Sequence, residues 1–491
     1  MAVPLSLANL EAISARAGVP GYARSDLSRG ILHFGVGNFH RAHQAVYLDR
    51  LFEKGLGQDW ALVGAGVMQG DKRARDVLAA QDWLTTVVEQ EADYSRAHVT
   101  GSMIDYIEPG NGEAILEALA DPAIRIVSLT ITEGGYFLDA DDNFDPKHPA
   151  MAADAANPQD PKTVFGLIIA GLRRRQEKGL PPFTVMCCDN IPHNGKVTRN
   201  TLCGLTELSD PGMARWIRDN VSFPNGMVDR ITPATSDRER KICSDEYGIE
   251  DGWPVFCEGF KQWVLEDDFP QGRPPLEEVG VQFVDDVTPF ELMKLRILNA
   301  GHAVIAYPAG LLDVHFVHEA MEHPLIAAFL DKLEREEIIP AVPPVPGTDI
   351  NAYYQLIVRR FANPKIGDTV RRLCLDGSNR QPKFIVPTVA DNLKSSRSTN
   401  GLALESALWC RYCYGESDNG RKIEPNDPNW DQLVARSGSA KEDPAQWLAM
   451  KDVYGDVALN DSFAKQFAHW LNMLWSHGTR KTLETYLGGA A

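Results

Sequence analysis

Positive charge is scarce: 49 lysines and arginines stand against 67 aspartates and glutamates, a formal charge of −18. A general nucleic-acid or anionic-membrane binder needs clustered cations, so this balance excludes both and leaves room only for a local basic pocket. No apolar run approaches the ~20 residues of a membrane span. The opening Met1-Ala-Val-Pro-Leu-Ser-Leu has no basic segment leading into an apolar run and no small-residue cleavage site, so a soluble cytoplasmic protein is expected. The eight cysteines, none before Cys187, are too scattered for a disulfide framework and read as reduced thiols. Cys410 and Cys413 form the only C-x-x-C, without a second pair, and His315, His318 and His323 lack a ligand spacing, so no metal is expected. Internal repeats, heptads and low-complexity tracts are absent, which removes solenoid and fibrous architectures.

What is present is ordinary globular composition, 44% hydrophobic and 24% charged, in a chain of 491 residues. That length exceeds what one core supports, so two domains are expected, residues 1–287 and 288–491. In the first, the apolar run 31–35, a helical period over 40–54 and a second apolar run 60–66 make a strand, helix, strand unit. That unit opens a doubly wound parallel sheet of the Rossmann type. Further strands are expected at 85–88, 124–131 and 183–188, with helices at 112–120 and 162–178. The segment from Phe256 to Pro275 reads as a connector containing a strand at 261–266. From about 288 onward the pattern is mainly helical, so the fold class is α/β with a mainly α-helical C-terminal domain.

Gly35-Val-Gly37-Asn38-Phe39-His40-Arg41 follows the first strand and opens a helix, the setting in which a glycine-rich turn admits a pyrophosphate against helix N–H groups. His40 replaces the third glycine of G-x-G-x-x-G, so a plain tight turn stays open, and Arg41 reads equally as a phosphate contact or a solvated surface residue. After the second strand, Asp71 would favour NAD and Lys72 or Arg73 NADP, which leaves the preference undecided. Two further loops follow strands where open parallel sheets bind ligands: Thr130-Ile-Thr132-Glu133-Gly-Gly-Tyr136 and Cys188-Asp-Asn190-Ile-Pro-His-Asn-Gly195. Each reads equally as a turn capped by its polar residues.

In Glu291-Leu-Met-Lys294-Leu-Arg-Ile-Leu-Asn299-Ala-Gly-His302 the apolar positions suit a buried helix. At roughly 100° per residue, with Glu291 at zero, Lys294 falls near 300°, Asn299 near 80° and His302 near 20°, one face of an α-helix. A buried lysine must be paired or neutral. Lysine, asparagine and histidine converging from one helix therefore read either as a general base with its helpers or as a satisfied polar network in a core.

These segments, together with Phe223-Pro-Asn-Gly-Met-Val-Asp229-Arg-Ile-Thr-Pro233, resemble in order and over most of the chain the long-chain mannitol dehydrogenase family. The resemblance implies a zinc-independent dehydrogenase that moves hydride between a nicotinamide cofactor, NAD with NADP not excluded, and a polyol, with D-mannitol and D-fructose as the pair. It implies Lys294 as general acid/base, Asn190 and Asn299 as donors to the reacting oxygen, His302 as orienting partner and Glu291 as a route for the proton to water. It places Gly35, Gly37, Asn38, Phe39, His40, Arg41, Thr132, Glu133, Asn190 and Asp229 against the cofactor. It places Asn190, Asp229, Lys294, Asn299, His302, Arg372 and Arg380 against the polyol. Partners are then a small polyol or ketose, with no nucleic acid and no membrane, and the protein is expected to be a monomer. D-arabinitol 4-dehydrogenase and hexuronate reductase are alternatives within the class, and a non-catalytic dinucleotide sensor is the alternative outside it.

Overall fold

The computed structural model describes residues 2–139 and 143–488. The chain divides into two compact units after Val287.

The first unit is built on a five-stranded sheet in the order Met103–Tyr106, Ala61–Ala65, Arg29–Phe34, Ile126–Leu129, Thr184–Cys187, every pair parallel. Numbered along the chain this is 3-2-1-4-5, the doubly wound order, which reverses direction at the Arg29–Phe34 strand. Alternate residues of these short apolar strands enter different cores, as period-2 side chains must. Leu32, Phe34, Val63, Val127 and Val185 pack with Ile115, Leu119, Phe165 and Ile168 on one face. Ile31, Leu62, Ile126 and Met186 pack with Leu48, Leu51, Phe52 and Trp263 on the other. Helices cover both faces, so the strands read as continuous apolar runs instead of alternating ones.

Three expectations need correction. The helix over 40–54 is two helices, Asn38–Ala42 and Gln44–Glu53, broken at His43 with φ −118° and ψ −87°. The break follows from partners outside the helix: the buried Arg230 guanidinium donates to the Ala42 carbonyl, and the His43 ring bonds the Gln262 carbonyl at 2.9 Å. The strand at 85–88 extends over Thr85–Gln90 but lies outside the main sheet, antiparallel to Ser95–Thr100 and parallel to Val255–Glu258. The region from Phe256 to Pro275 is therefore no connector. Val255–Glu258 completes that second sheet, and Gln262–Glu266 pairs with Gly226–Asp229 and Gln282–Val284 in a third.

The second unit is helical. Asn400–Tyr412 is buried over nearly its whole circumference and packs against Ala300–Leu311 and the long Asp461–Tyr486 helix. Glu337 caps it from a neighbouring segment, accepting the Gly401 and Leu402 amides at 2.9 and 3.0 Å.

The stretch from Glu291 to His302 is not one α-helix. Thr288–Met293 is α-helical, Lys294–Asn299 is π-helical, and Ala300–Leu311 resumes the α-helix. On an α-helix, Lys294 and Asn299 would lie about 140° apart, five residues at roughly 100° each. The i→i+5 pattern of a π-helix makes two residues five apart neighbours along the axis instead.

Candidate active site

The reversal of sheet order puts the ends of the Arg29–Phe34 and Ile126–Leu129 strands side by side, and open sheets bind ligands at that crevice. Gly35 follows the first of these strands with φ +93°, and a Cβ there would lie 2.0 Å from the Thr130 carbonyl oxygen. Thr130 Oγ1 donates to the Gly35 carbonyl at 2.6 Å, locking the two loops together. Gly37 differs: the nearest atom to a Cβ there is 3.8 Å away, so the turn's open side faces space that a cofactor backbone can occupy.

The polar residues of this turn are used inward. Asn38 Nδ2 donates to the Pro233 carbonyl and to Thr235 Oγ1, both at 2.9 Å. Arg41 is buried, bonded to the Trp253 carbonyl and to Asn38 Oδ1, with its guanidinium carbon 3.9 Å from the Trp253 ring centre. The surface reading of Arg41 is thereby overturned, and its guanidinium clamps the turn. Phe39 stacks on His43, and His40, 1% exposed, stacks on His33 with ring centres 3.5 Å apart. Burial and the neighbouring His33 and Arg41 charges hold the His40 imidazole well below its ordinary value.

At the end of the second strand, Asp71 packs on Gly66 so closely that a Cβ there would lie 2.4 Å from Oδ2, and the carboxylate accepts the Met68 amide at 2.8 Å. Lys72 is exposed and paired with Glu108 at 3.3 Å. The other two loops end adjacent strands and are tied together. Asp189 accepts the Ile131 and Thr132 amides, while Glu133 and Asn190 are exposed beyond it. Asp229 is buried at the end of Gly226–Asp229.

In the second unit, Glu291, Lys294 and Asn299 are 6%, 7% and 8% exposed. Asn299 Nδ2 and His302 Nε2 are buried and find no hydrogen-bond partner among the described residues. An orphaned buried donor is costly unless a ligand takes it. The His302 ring stacks on Phe361 at 4.3 Å, and burial together with Arg372, Arg360, Arg380 and Lys294 keeps the imidazole neutral, well below its ordinary value. Arg372 is ion-paired with Asp368, and Arg380 donates to the Leu373 carbonyl at 3.2 Å. Arg360 and Phe361 were invisible to sequence reasoning, because they end an ordinary amphipathic helix, Ile350–Phe361. Among the described residues no group of three or more His, Cys, Asp or Glu is arranged to hold a metal ion, and no helix is long and apolar enough to cross a membrane. All eight cysteines are free and buried.

Two family models, the mannitol dehydrogenase Rossmann domain and the mannitol dehydrogenase C-terminal domain, match residues 29–278 and 286–475. The chain belongs to the mannitol dehydrogenase family. A mannitol 2-dehydrogenase of Cereibacter sphaeroides is 57% identical over 95% of this chain and 98% of its own, and one of Pyricularia oryzae is 41% identical over the full length of both. Among solved structures, the ternary complex of Pseudomonas fluorescens mannitol 2-dehydrogenase with NAD and D-mannitol superposes with a TM-score of 0.89 at 43% identity, covering 99% of each chain. A substrate-free D-sorbitol dehydrogenase reaches 0.90 at 35% identity, covering 98% of this chain and 100% of its own. Within the mannitol dehydrogenase family, then, the Rossmann-type sheet and the helical C-terminal unit of this chain are the expected pair of domains.

Proposed function

We propose that the protein interconverts D-mannitol and D-fructose with NAD, without a metal, and that Lys294 is its general acid/base. The observation that carries the chemistry is the π-helical segment: a buried lysine, and five residues on an amide donor with no partner among the described residues.

A bound NAD would supply the acceptor for the hydride of the carbinol carbon. The protein must remove the hydroxyl proton and stabilise the charge that develops on oxygen. A general base must be neutral to accept that proton, which is the task assigned to Lys294. Asn299 Nδ2 and the amide of Asn190 donate to the developing alkoxide, the electrostatic work that a Lewis acid would otherwise do. His302, neutral, orients the hydroxyl, and Glu291, one helical turn before Lys294, passes the proton to water. Arg372, Arg380 and Asp229 contact the polyol.

The residues present suit the dinucleotide. Gly35 and Gly37, with Asn38, Phe39, His40 and Arg41 shaping the turn, and Thr132 and Glu133 would hold it. Asp71 stands where an acid meets the adenosine ribose. The pairing of Lys72 with Glu108 takes one cation away from a 2′-phosphate, which favours NAD.

The gathering of Arg360, Arg372 and Arg380 around His302 favours one second reading, a hexuronate reductase whose substrate carboxylate meets these cations. Steady-state rates with D-mannitol, D-arabinitol, D-fructose and D-fructuronate, each with NAD and NADP, separate the readings through the absorbance of reduced nicotinamide. Fastest turnover of mannitol and fructose with NAD is expected. Preference for fructuronate or arabinitol overturns the substrate, and NAD binding with no turnover of any of them leaves a sensor. The proposal extends to a monomer working in the cytoplasm, tested by light scattering and by cell fractionation.

A further inference from the structure

Asp189 touches neither end of the chemistry assigned above, yet it is the polar hub of the loops that carry it. Oδ1 accepts the Thr132 amide at 2.9 Å, and Oδ2 accepts the Ile131 amide at 2.9 Å and the Tyr136 hydroxyl at 2.6 Å. Its carbonyl accepts Asn194 Nδ2 at 3.1 Å. The Tyr136 hydroxyl, fully buried, also lies 2.8 Å from Cys187 Sγ, so the hub is anchored to the last residue of the Thr184–Cys187 strand. Burial pushes the Asp189 carboxyl up from its ordinary value, while the hydroxyl and the two amides pull it down.

What this hub holds is unusual. Thr132 has φ +65° and ψ 163°, a conformation that is essentially glycine's and that a β-branched residue adopts only when its surroundings impose it. It leads into the short 3-10 turn Glu133–Tyr136, and its carbonyl accepts the Gly135 amide at 3.0 Å. The Thr132 amide is fixed by Asp189, and a charge-assisted bond of this kind is roughly twice as strong as a neutral one. The residue that follows Asp189 is Asn190, so the same carboxylate that bends the Thr132 loop also anchors the backbone from which Asn190 projects.

We propose that Asp189 is a positioning residue: its carboxylate holds the strained Thr132 loop against the end of the neighbouring strand and thereby sets the aim of Asn190, a role that rests on the reading of Asn190 as donor to the reacting oxygen. Misplacement of a reacting group by about 1 Å costs on the order of 10²-fold in rate.

The test is a double-mutant cycle of Asp189→Asn and Thr132→Gly, with turnover of mannitol and of mannitol deuterated at C2 as readouts. In Asp189→Asn one carboxylate oxygen becomes a donor facing donors. A fall in kcat of roughly 10- to 100-fold is expected, with a larger isotope effect because the transfer step becomes limiting. Glycine adopts the Thr132 conformation without strain, so Asp189→Asn in the Thr132→Gly background should cost at least tenfold less than in the wild type. A wild-type kcat in Asp189→Asn overturns the proposal. So does a loss of kcat that only matches the loss of folded protein by circular dichroism, or that is as large in the glycine background. If Asp189→Asn does not fold, Tyr136→Phe, which removes the hydroxyl's bond to Asp189 and its contact with Cys187 but leaves both loop amides on the carboxylate, must lower kcat and raise the isotope effect; no change in either overturns it. Asn190→Ala separates the two layers: normal turnover there removes the donor assignment, whatever Asp189→Asn shows.

Discussion

Gly35 and Thr130 meet backbone to backbone where the sheet order reverses, with 2.0 Å between the Thr130 oxygen and the point where a Cβ on Gly35 would sit. Neither partner can yield, since one directly follows the Arg29–Phe34 strand and the other directly follows its neighbour Ile126–Leu129. Gly35→Ala is therefore expected to cost about 1–3 kcal/mol from overpacking and a further ~1–2 kcal/mol from the left-handed φ. Thermal denaturation should show a melting point lower by several degrees. Gly37→Ala is the contrast, because among the described residues the nearest atom to a Cβ there is 3.8 Å away. Its melting point should stay near wild type while NAD affinity, by quenching of protein fluorescence, falls at least ~10-fold if the open side faces the cofactor. Unchanged affinity in Gly37→Ala would move the cofactor elsewhere.

Lys294 and Asn299 should separate by what they lose. Lys294→Ala is expected to reduce kcat for mannitol oxidation by at least ~10²-fold, the lower range for removing acid–base catalysis, with NAD affinity retained. Asn299→Ala should reduce kcat by ~10²-fold, as for one oxyanion donor, and Asn299→Asp should do no better, since a carboxylate accepts where the site must donate. A rise in KM alone in either asparagine variant would assign Asn299 to binding and not to the reacting oxygen.

Acid should destabilise the first unit through its buried histidines. His33 and His43 are lowered to about 3 by burial, and His98 to about 4. Between those values and the ordinary 6.5 the unfolded chain binds protons that the folded chain refuses, so stability is present above pH 6.5 and is lost as pH falls toward 3. Each tenfold difference in proton affinity is worth about 1.4 kcal/mol. His40 is buried and stacks on His33 with ring centres 3.5 Å apart, and burial holds its imidazole well below the ordinary value. His40→Phe keeps the stack and removes a site that protonates only on unfolding, so its urea midpoint should fall less steeply than that of the wild type between pH 6 and 4. Parallel slopes for the two proteins would show that His40 is not part of the acid response.

Much of this was legible in the residues. Short apolar runs ending in glycine marked the sheet strands because burial on both faces leaves them continuous, and the Gly35, Thr132 and Asn190 loops were found at strand ends for the same reason. The order of the small sheets was not legible: Val255–Glu258 pairs with Thr85–Gln90, far away in sequence, and Gln262–Glu266 sits between strands that precede and follow it, while the aromatics, acids and proline of this region resembled a linker. The π-helical turn at Lys294–Asn299 was missed because hydrophobic period alone cannot distinguish i→i+4 from i→i+5 over six residues. Arg41 and His40 lie in the helix Asn38–Ala42 that the turn opens, and their burial depended on Trp253 and His33, partners that no local pattern reveals. Asp189 lay inside a motif already singled out, yet an Asp-Asn pair after a strand looks the same whether it caps a helix or braces a loop.

Glu405 in the second unit should act on stability in the opposite sense to the histidines. It is 1% exposed in the Asn400–Tyr412 helix, and its Oε1 accepts Gln381 Nε2 at 2.6 Å while Oε2 finds no partner among the described residues. Burial pushes its carboxyl up to about 8. In the unfolded chain a glutamate releases its proton near pH 4.3, so from there to about pH 8 the folded protein holds a proton that the unfolded chain has lost. The contribution is complete below pH 4.3 and is lost as pH rises through that window, because unfolding gains an ionised carboxylate in water. Glu405→Gln fixes the neutral form, so its stability should lose this dependence, and its urea midpoint should exceed that of the wild type by a margin that widens from pH 5 to pH 8. Gln381 lies one residue beyond Arg380 on Gly377–Phe384, so the same window should carry a second signal. If ionisation of Glu405 shifts Gln381, KM for mannitol should rise toward pH 8 in the wild type more than in Glu405→Gln. Equal KM profiles alongside the divergent urea midpoints would confine Glu405 to stability, and superimposable midpoints would mean that its carboxyl ionises normally in the folded chain.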